Sequence, residues 1–373
     1  MANIYLDYAA TSRKHFDIIE KNLNILKEIY ANPSSGHTLG KKNAKLARES
    51  REKIANFINA TPEEIVFTSG GTESNNTVFN HILNRFKSGE IIISSIEHPS
   101  VKASAKHLEK FGFKIHELAV DETGSVSIEQ LKERINDDTV LISIMLANNE
   151  TGVLNPIKEI SELIANKSIL LHSDIVQAFG KVEIDVRELG LDFASVSAHK
   201  IGSLNNFGFL YAKDGDVEPF ILGGGQENGL RSGTSDLLGT LILADCTEET
   251  LSSIPKLKDL KSYFIDKLEQ SGIDFEVNGL VENSLPNILN IYFKNIEAQR
   301  LITYLDAQSI YISGGSACSS GNIKGSRIIT EMYDINRASH SVRISVGFDI
   351  TKENIDEVIE KIAKLELRLK ERN

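Results

Sequence analysis

The sequence predicts an α/β protein in two parts: a large domain on a mostly parallel seven-stranded sheet, and a small α+β C-terminal domain. Three observations lead there. Seven short apolar, β-branched runs alternate with helix-length amphipathic stretches between residues 64 and 211, the pattern of linked βα units. Polar or glycine-rich clusters follow the ends of those runs, where ligands gather in open parallel sheets. Near residue 250 the regular alternation gives way to a few strands between two amphipathic helices.

Taken in order, the chain opens with a short strand, Ile4-Tyr5-Leu6, that runs into a turn. Residues 32–37 are a loop by composition, and Ala44, Ala47, Ile54, Ala55 and Ile58 give a helix over about 39–59 one apolar face. The sheet strands are expected at 65–68, 91–94, 115–120, 139–146, 168–171, 192–196 and 207–211. Helices open at Ser69-Gly70-Gly71-Thr72, at Glu97-His98-Pro99 and after Pro156. Beyond Pro255, Leu257, Leu260, Phe264 and Leu268 mark one helix face, and residues 287–293 and 342–346 read as strands. Ile355, Val358, Ile362, Leu365 and Leu369 stripe a final helix that packs on a core. The first dozen residues are expected to join this second part. The boundaries are therefore 13–253 for the large domain, and 1–12 with 254–373 for the small one.

Composition narrows the function classes. The 373 residues are 41% hydrophobic and 25% charged, ordinary for a globular chain. A net charge of −11 argues against general binding to nucleic acid or membrane surfaces. Neither a signal peptide nor an 18-residue apolar span is evident. Two cysteines, Cys246 and Cys318, make no disulfide framework, so a reducing cytoplasm is the simplest setting.

The candidate site residues stand at strand ends. Lys200, in Ser197-Ala198-His199-Lys200, follows the strand at 192–196. A lysine must lose a proton to attack a carbonyl, and burial lowers its pKa. Asp174 and Gln177 follow the run at 168–171. A lysine to hold an aldehyde and an acid to keep a ring nitrogen protonated are what a pyridoxal phosphate enzyme needs. Gly71 and Thr72 begin a helix whose free N–H groups suit a phosphate, although an ordinary capped turn has the same composition. His98 is placed to stack on a planar ring, and Asn149 to hydrogen-bond a ligand. Thr234, in Arg231-Ser232-Gly233-Thr234, suits an anion. Arg343 points inward from a strand and needs an anionic partner, either a substrate carboxylate or a structural Asp or Glu.

Cys318 lies in Ser313-Gly314-Gly315-Ser316-Ala317-Cys318-Ser319-Ser320-Gly321, which is too rich in small residues to pack a thiol into a core. Such a loop makes a mobile thiol with a reach of about 13 Å. Cys246, within an apolar helical stretch, reads as buried and inert.

Together these runs, in order and across nearly the whole chain, resemble the class I (NifS/IscS-like) cysteine desulfurases. The matching segments include Tyr5-Leu6-Asp7-Tyr8-Ala9-Ala10-Thr11, Asn32-Pro33-Ser34-Ser35 and Thr68-Ser69-Gly70-Gly71-Thr72-Glu73-Ser74-Asn75. Glu97-His98, Asn148-Asn149-Glu150, His172 to Gln177, Ser197 to Lys200, Arg231 to Thr234, Gly315 to Ser320 and Arg343 complete the set.

The resemblance implies the aspartate aminotransferase-like fold type I, pyridoxal 5'-phosphate as cofactor, L-cysteine as substrate, a homodimer and a sulfur-acceptor protein. It implies that Lys200 holds the cofactor and moves the substrate Cα proton, while Asp174 pairs with the ring nitrogen. Gln177 would meet the ring hydroxyl and His98 would stack on the ring. Gly71, Thr72, Ser197, His199 and the neighbouring subunit's Thr234 position would hold the phosphate. Asn149 and Arg343 would bind the substrate carboxylate, and Cys318 would take the sulfur as a persulfide. A selenocysteine lyase, or a cofactor-loaded relative without turnover, are the alternatives.

Two departures stand out. Where the family has a Gly-Pro-Lys-Gly turn, this sequence has Ser203-Leu204-Asn205-Asn206, without the lysine. The chain also ends at Asn373 with less tail than the housekeeping members use to dock a scaffold protein, which implies a specialised acceptor or a different docking mode.

Overall fold

Ile91, Ile92 and Ile93 are consecutive and all buried, which requires a strand covered on both faces. The computed structural model describes residues 3–28, 30–315 and 325–371. Its strands are β1 (Ile4–Tyr5), β2 (Ile65–Thr68), β3 (Gly89–Ser94), β4 (Phe113–Leu118), β5 (Thr139–Ser143) and β6 (Leu170–Asp174). They continue with β7 (Phe193–Ser197), β8 (Gly208–Ala212), β9 (Phe275–Val277), β10 (Ile288–Phe293), β11 (Ile310–Tyr311) and β12 (Ser341–Ser345).

The large sheet has seven strands in the order β2-β8-β7-β6-β5-β3-β4. All run parallel except β8, which is antiparallel to both its neighbours. Apolar side chains alternate between two cores. Ile92, Ala194, Val196, Phe209 and Tyr211 join one face, while Ile91, Ile93, Phe193, Leu210 and Ala212 join the other. Because both faces are packed, the strands read as continuous apolar runs.

A separate apolar cluster lies around the antiparallel sheet β12-β10-β9 and the two-stranded pair β1-β11. Ile4, Leu6 and Tyr8 meet Leu257, Phe264 and Leu268 there, as well as Ile355, Val358, Ile362 and Leu365 of the last helix, Lys352–Lys370. The stripe expected for core packing is therefore buried, with Leu369 at its edge. Leu285, Ile288, Ile328, Ile329 and Met332 pack instead against the large core, so later segments reach back across it.

The structure extends some expectations. A helix at Phe16–Glu28 carries exposed Phe16 and Leu23, a weak apolar face that the pattern did not reveal. The helix expected at 39–59 ends at Asn56, and Asn59 takes a left-handed turn with φ 55°. Among the described residues no helix is long and apolar enough to cross a membrane.

Candidate active site

The carboxyl ends of β2, β3, β5, β6 and β7 converge on a cavity of about 560 Å³. Gly71, Thr72, His98, Asn149, Asp174, Gln177, Ser197, His199, Lys200 and Arg343 all line it. Ten of the twelve expected residues are thus neighbours in space. Thr234 is exposed and outside the lining, and Cys318 lies outside the described residues.

Lys200 follows β7 in a single 3-10 turn, Ala198–Ile201, that aims its amine across the cavity floor. Its Nζ donates to Ala9 O at 2.7 Å and Ala10 O at 2.8 Å, so the floor is made by the chain's N-terminal segment. Asp174 ends β6 and is buried; its Oδ1 accepts from Val176 N at 3.0 Å and its Oδ2 from Asn75 Nδ2 at 2.9 Å. Asn75 Nδ2 also donates to Ser100 Oγ at 2.8 Å, and Ser100 Oγ lies 2.7 Å from His98 Nδ1. That nitrogen also accepts from the Ser100 backbone N–H at 3.1 Å. With Nδ1 accepting, the neutral imidazole carries its proton on Nε2. Burial and the nearby Lys200 ammonium push the His98 pKa below its usual value, while Asp174 pulls the other way.

The helix Gly71–Arg85 opens directly onto the cavity. Its cap, Gly70, sits at φ 136°, ψ −175°, a conformation that side chains rarely adopt. A Cβ on Gly70 would come within 3.3 Å of Ser197 Oγ, and one on Gly71 within 2.8 Å of Val176 Cγ2. Glycine here keeps the backbone N–H groups open to an anion. Burial, then repulsion from Lys200 and other cations, pushes His199 down to about 3, so its ring is neutral. Asn75 Oδ1 and Arg343 Nε are buried without protein partners. A cofactor with a phosphate, an aldehyde and a ring nitrogen finds a complementary group for each: the Gly71 helix start with Ser197 and His199, then Lys200, then Asp174.

Arg343 is almost fully buried on β12 and lines the cavity. Its guanidinium donates to Asp7 Oδ1 at 2.6 Å and to Asn149 O at 3.0 Å, so a structural carboxylate partners it at the cavity wall. Arg231 is likewise taken: its Nε pairs with Glu73 Oε1 at 2.9 Å, and Glu73 Oε2 accepts from Ser69 N at 2.8 Å. The residues flanking the Cys318 segment are tied to the same wall. Ser313 bridges to Arg343, and Ser326 Oγ donates to Glu150 Oε2.

The aminotransferase class-V family model matches residues 4–358. The chain belongs to that family. Cysteine desulfurase IscS of Clostridium botulinum (strain Kyoto / Type A2) is 39% identical over 97% of this chain and 94% of its own length. A solved NifS-like protein superposes with a TM-score of 0.89 at 32% identity, covering 98% of this chain and 99% of that one. SspA in complex with cysteine superposes with a TM-score of 0.82 at 32% identity, over 92% of this chain and 98% of the other. Within the class-V family, the chain is a homologue of the IscS/NifS cysteine desulfurases.

This class-V member solves the altered turn in its own way. Asn205 and Asn206 line the cavity, and Asn206 takes φ 54°, which asparagine tolerates better than most side chains. Lys14 Nζ donates to Ser203 O at 2.6 Å and Asn205 Oδ1 at 2.7 Å, so an ammonium from elsewhere in the chain reaches the loop that lacks its own. Sequence reasoning missed Lys14 and Asp7 as partners of the cavity residues Asn205 and Arg343. The inward-facing Arg343 was the one signal, and it called for an anion without naming Asp7.

Glu97, next to His98, is fully buried. Its Oε1 accepts from Ser94 Oγ at 2.5 Å and Met145 N at 2.8 Å, while Oε2 has no partner. Burial pushes its pKa up to about 8. As pH rises from about 4.5 to 8 the unfolded chain loses this proton first, so Glu97 lowers stability progressively across that window. The variant Glu97→Gln is expected to lose less stability than wild type between pH 5 and pH 8, by an amount on the order of a few kcal/mol. Denaturant midpoints at the two pH values check it, and parallel curves would refute the assignment.

Proposed function

We propose that the chain is a pyridoxal 5'-phosphate-dependent cysteine desulfurase that releases L-alanine from L-cysteine and passes the sulfur through Cys318 to an acceptor. The observation that carries this reading is the meeting of Lys200, Asp174, His98 and the Gly71 helix start around the cavity of a class-V family member. Bound there, the cofactor would supply an electron-withdrawing ring that stabilises negative charge at the substrate Cα. Lys200 would hold it covalently and carry the Cα proton. Asp174, held by Asn75, would keep a charge opposite the ring nitrogen. Gln177 would face the ring hydroxyl and His98 the ring itself. Gly71, Thr72, Ser197 and His199 would take the phosphate, with Thr234 completing it from the second subunit of a homodimer.

Asn149 and Arg343 would receive the substrate carboxylate, with Asp7 holding the guanidinium in place. The Cys318 thiolate would attack the substrate sulfur. The S–S bond of the persulfide forms as the substrate's C–S bond breaks, and the electron pair left on carbon takes a proton to give alanine. A carrier thiol must stay reduced between turnovers, which favours a cytoplasmic setting. The acceptor would belong to iron–sulfur cluster assembly or a thiolation pathway. The division into 13–253, and 1–12 with 254–373, is part of the same reading.

The test is direct. Purified protein is expected to be yellow and to release L-alanine from L-cysteine when a reductant accepts the sulfur. A yellow protein that makes no alanine sinks the desulfurase reading. Faster turnover of selenocysteine than of cysteine would favour a lyase for that substrate.

A further inference from the structure

Lys181 follows Gly180 in a turn after β6, where a lysine reads as a solvated charge. In the fold it is 3% exposed. Its Nζ donates to Gln177 O at 3.1 Å and to Gln177 Oε1 at 3.4 Å, and it joins no salt bridge with a described residue. The charged groups that act on it are Lys200 and Arg343, both cations. Together with burial, the dominant cause, they push its pKa down to about 7. Burying a cation without a counter-charge costs stability, so packing alone explains this residue poorly.

What Lys181 does have is Gln177. The Gln177 amide is held from both sides: Oε1 faces Lys181, and Nε2 donates to Ala9 O at 2.9 Å, the carbonyl that Lys200 Nζ also reaches. Below about pH 7 the Lys181 amine is an ammonium, which donates and never accepts. Turning the amide over would set its NH2 against that ammonium and its oxygen against the Ala9 carbonyl. Both contacts would be repulsive.

We propose that Lys181 is a positioning residue that fixes the Gln177 amide, so that its N–H, and not its oxygen, is presented on the cavity side beside Lys200. The inference rests on the reading above, in which a pyridoxal phosphate occupies that cavity and offers Gln177 a ring oxygen that can only accept. Lys181 touches neither cofactor nor substrate. It acts through Gln177.

The experiment titrates apoprotein with pyridoxal 5'-phosphate and records the dissociation constant and the absorption maximum of the bound cofactor. Lys181→Met removes the donor, and Lys181→Gln keeps size and polarity but lets the facing group accept. Each is expected to weaken binding about tenfold, as loss of one well-made hydrogen bond does, and to move the maximum in the same direction as Gln177→Ala. In a double-mutant cycle, adding Lys181→Met to Gln177→Ala is expected to change neither quantity further. A folded Lys181 variant with wild-type affinity and maximum overturns the inference, and so does a double variant whose losses multiply. Wild-type protein that takes up no pyridoxal phosphate sinks the functional reading and this inference with it. Wild type that binds while the Lys181 variants bind equally well sinks the inference alone.

Discussion

Replacing Cys318 with alanine is expected to leave a yellow protein that binds L-cysteine and releases no L-alanine. Breaking a C–S bond by transfer of sulfur needs a soft nucleophile, and a thiolate is the side chain that supplies one. Removing a nucleophile typically costs more than about a thousandfold in turnover, so residual alanine is expected to fall below the detection limit of a single-turnover assay. The protein has one other cysteine, and it cannot stand in. Cys246 is fully buried, and burial pushes its thiol up to about 12, far from the thiolate form at neutral pH. The measurement is alanine formed per bound cofactor, in wild type and Cys318→Ala, with and without reductant. Alanine from the variant at more than a tenth of the wild-type rate would move the sulfur-accepting role away from Cys318.

Lys200→Ala is expected to abolish turnover by a comparable factor through a different loss. The variant has no amine to bond the aldehyde or to carry the Cα proton, while the helix start at Gly71 and the Asp174–Asn75 pair remain. Cofactor should still bind, more weakly, and absorb like the free aldehyde. Ala9 O keeps the Gln177 Nε2 hydrogen bond, but Ala10 O loses the donor at 2.8 Å. Each of the two lost hydrogen bonds costs about 1 kcal/mol, so the fold should survive. Absorbance spectra and alanine release on the same sample separate the two effects. A variant that keeps the wild-type spectrum would place the covalent attachment on another lysine.

Much of this architecture was legible because the sheet is covered on both faces. Such strands are mostly apolar, and the charged residues that end them stand out: Asp174 after Leu170-Leu171, and Lys200 after Val196. The same logic hides what lies off the strands. Lys14 sits in a polar stretch and Lys181 among apolar neighbours, and only the fold puts one against Ser203 and Asn205 and the other beneath Gln177. The antiparallel sense of β8 was not readable either, because a run buried on both faces carries no mark of direction. Arg343 lay between these cases. Its inward position was visible, but Asp7 is 336 residues away in sequence, and no local pattern links the two.

That separation has a consequence for how the molecule is made. The carbonyls of Ala9 and Ala10 and the Asp7 carboxylate leave the ribosome long before β11 and β12, which hold that segment in register. Contacts so distant along the chain form late, after the sheet has had time to assemble. Until then Arg343 has no counter-ion and Lys200 no floor beneath it. The growing polypeptide therefore carries the Gly71 helix start well before the cavity floor is closed, and Lys200 gains its surroundings as one of the last acts of folding.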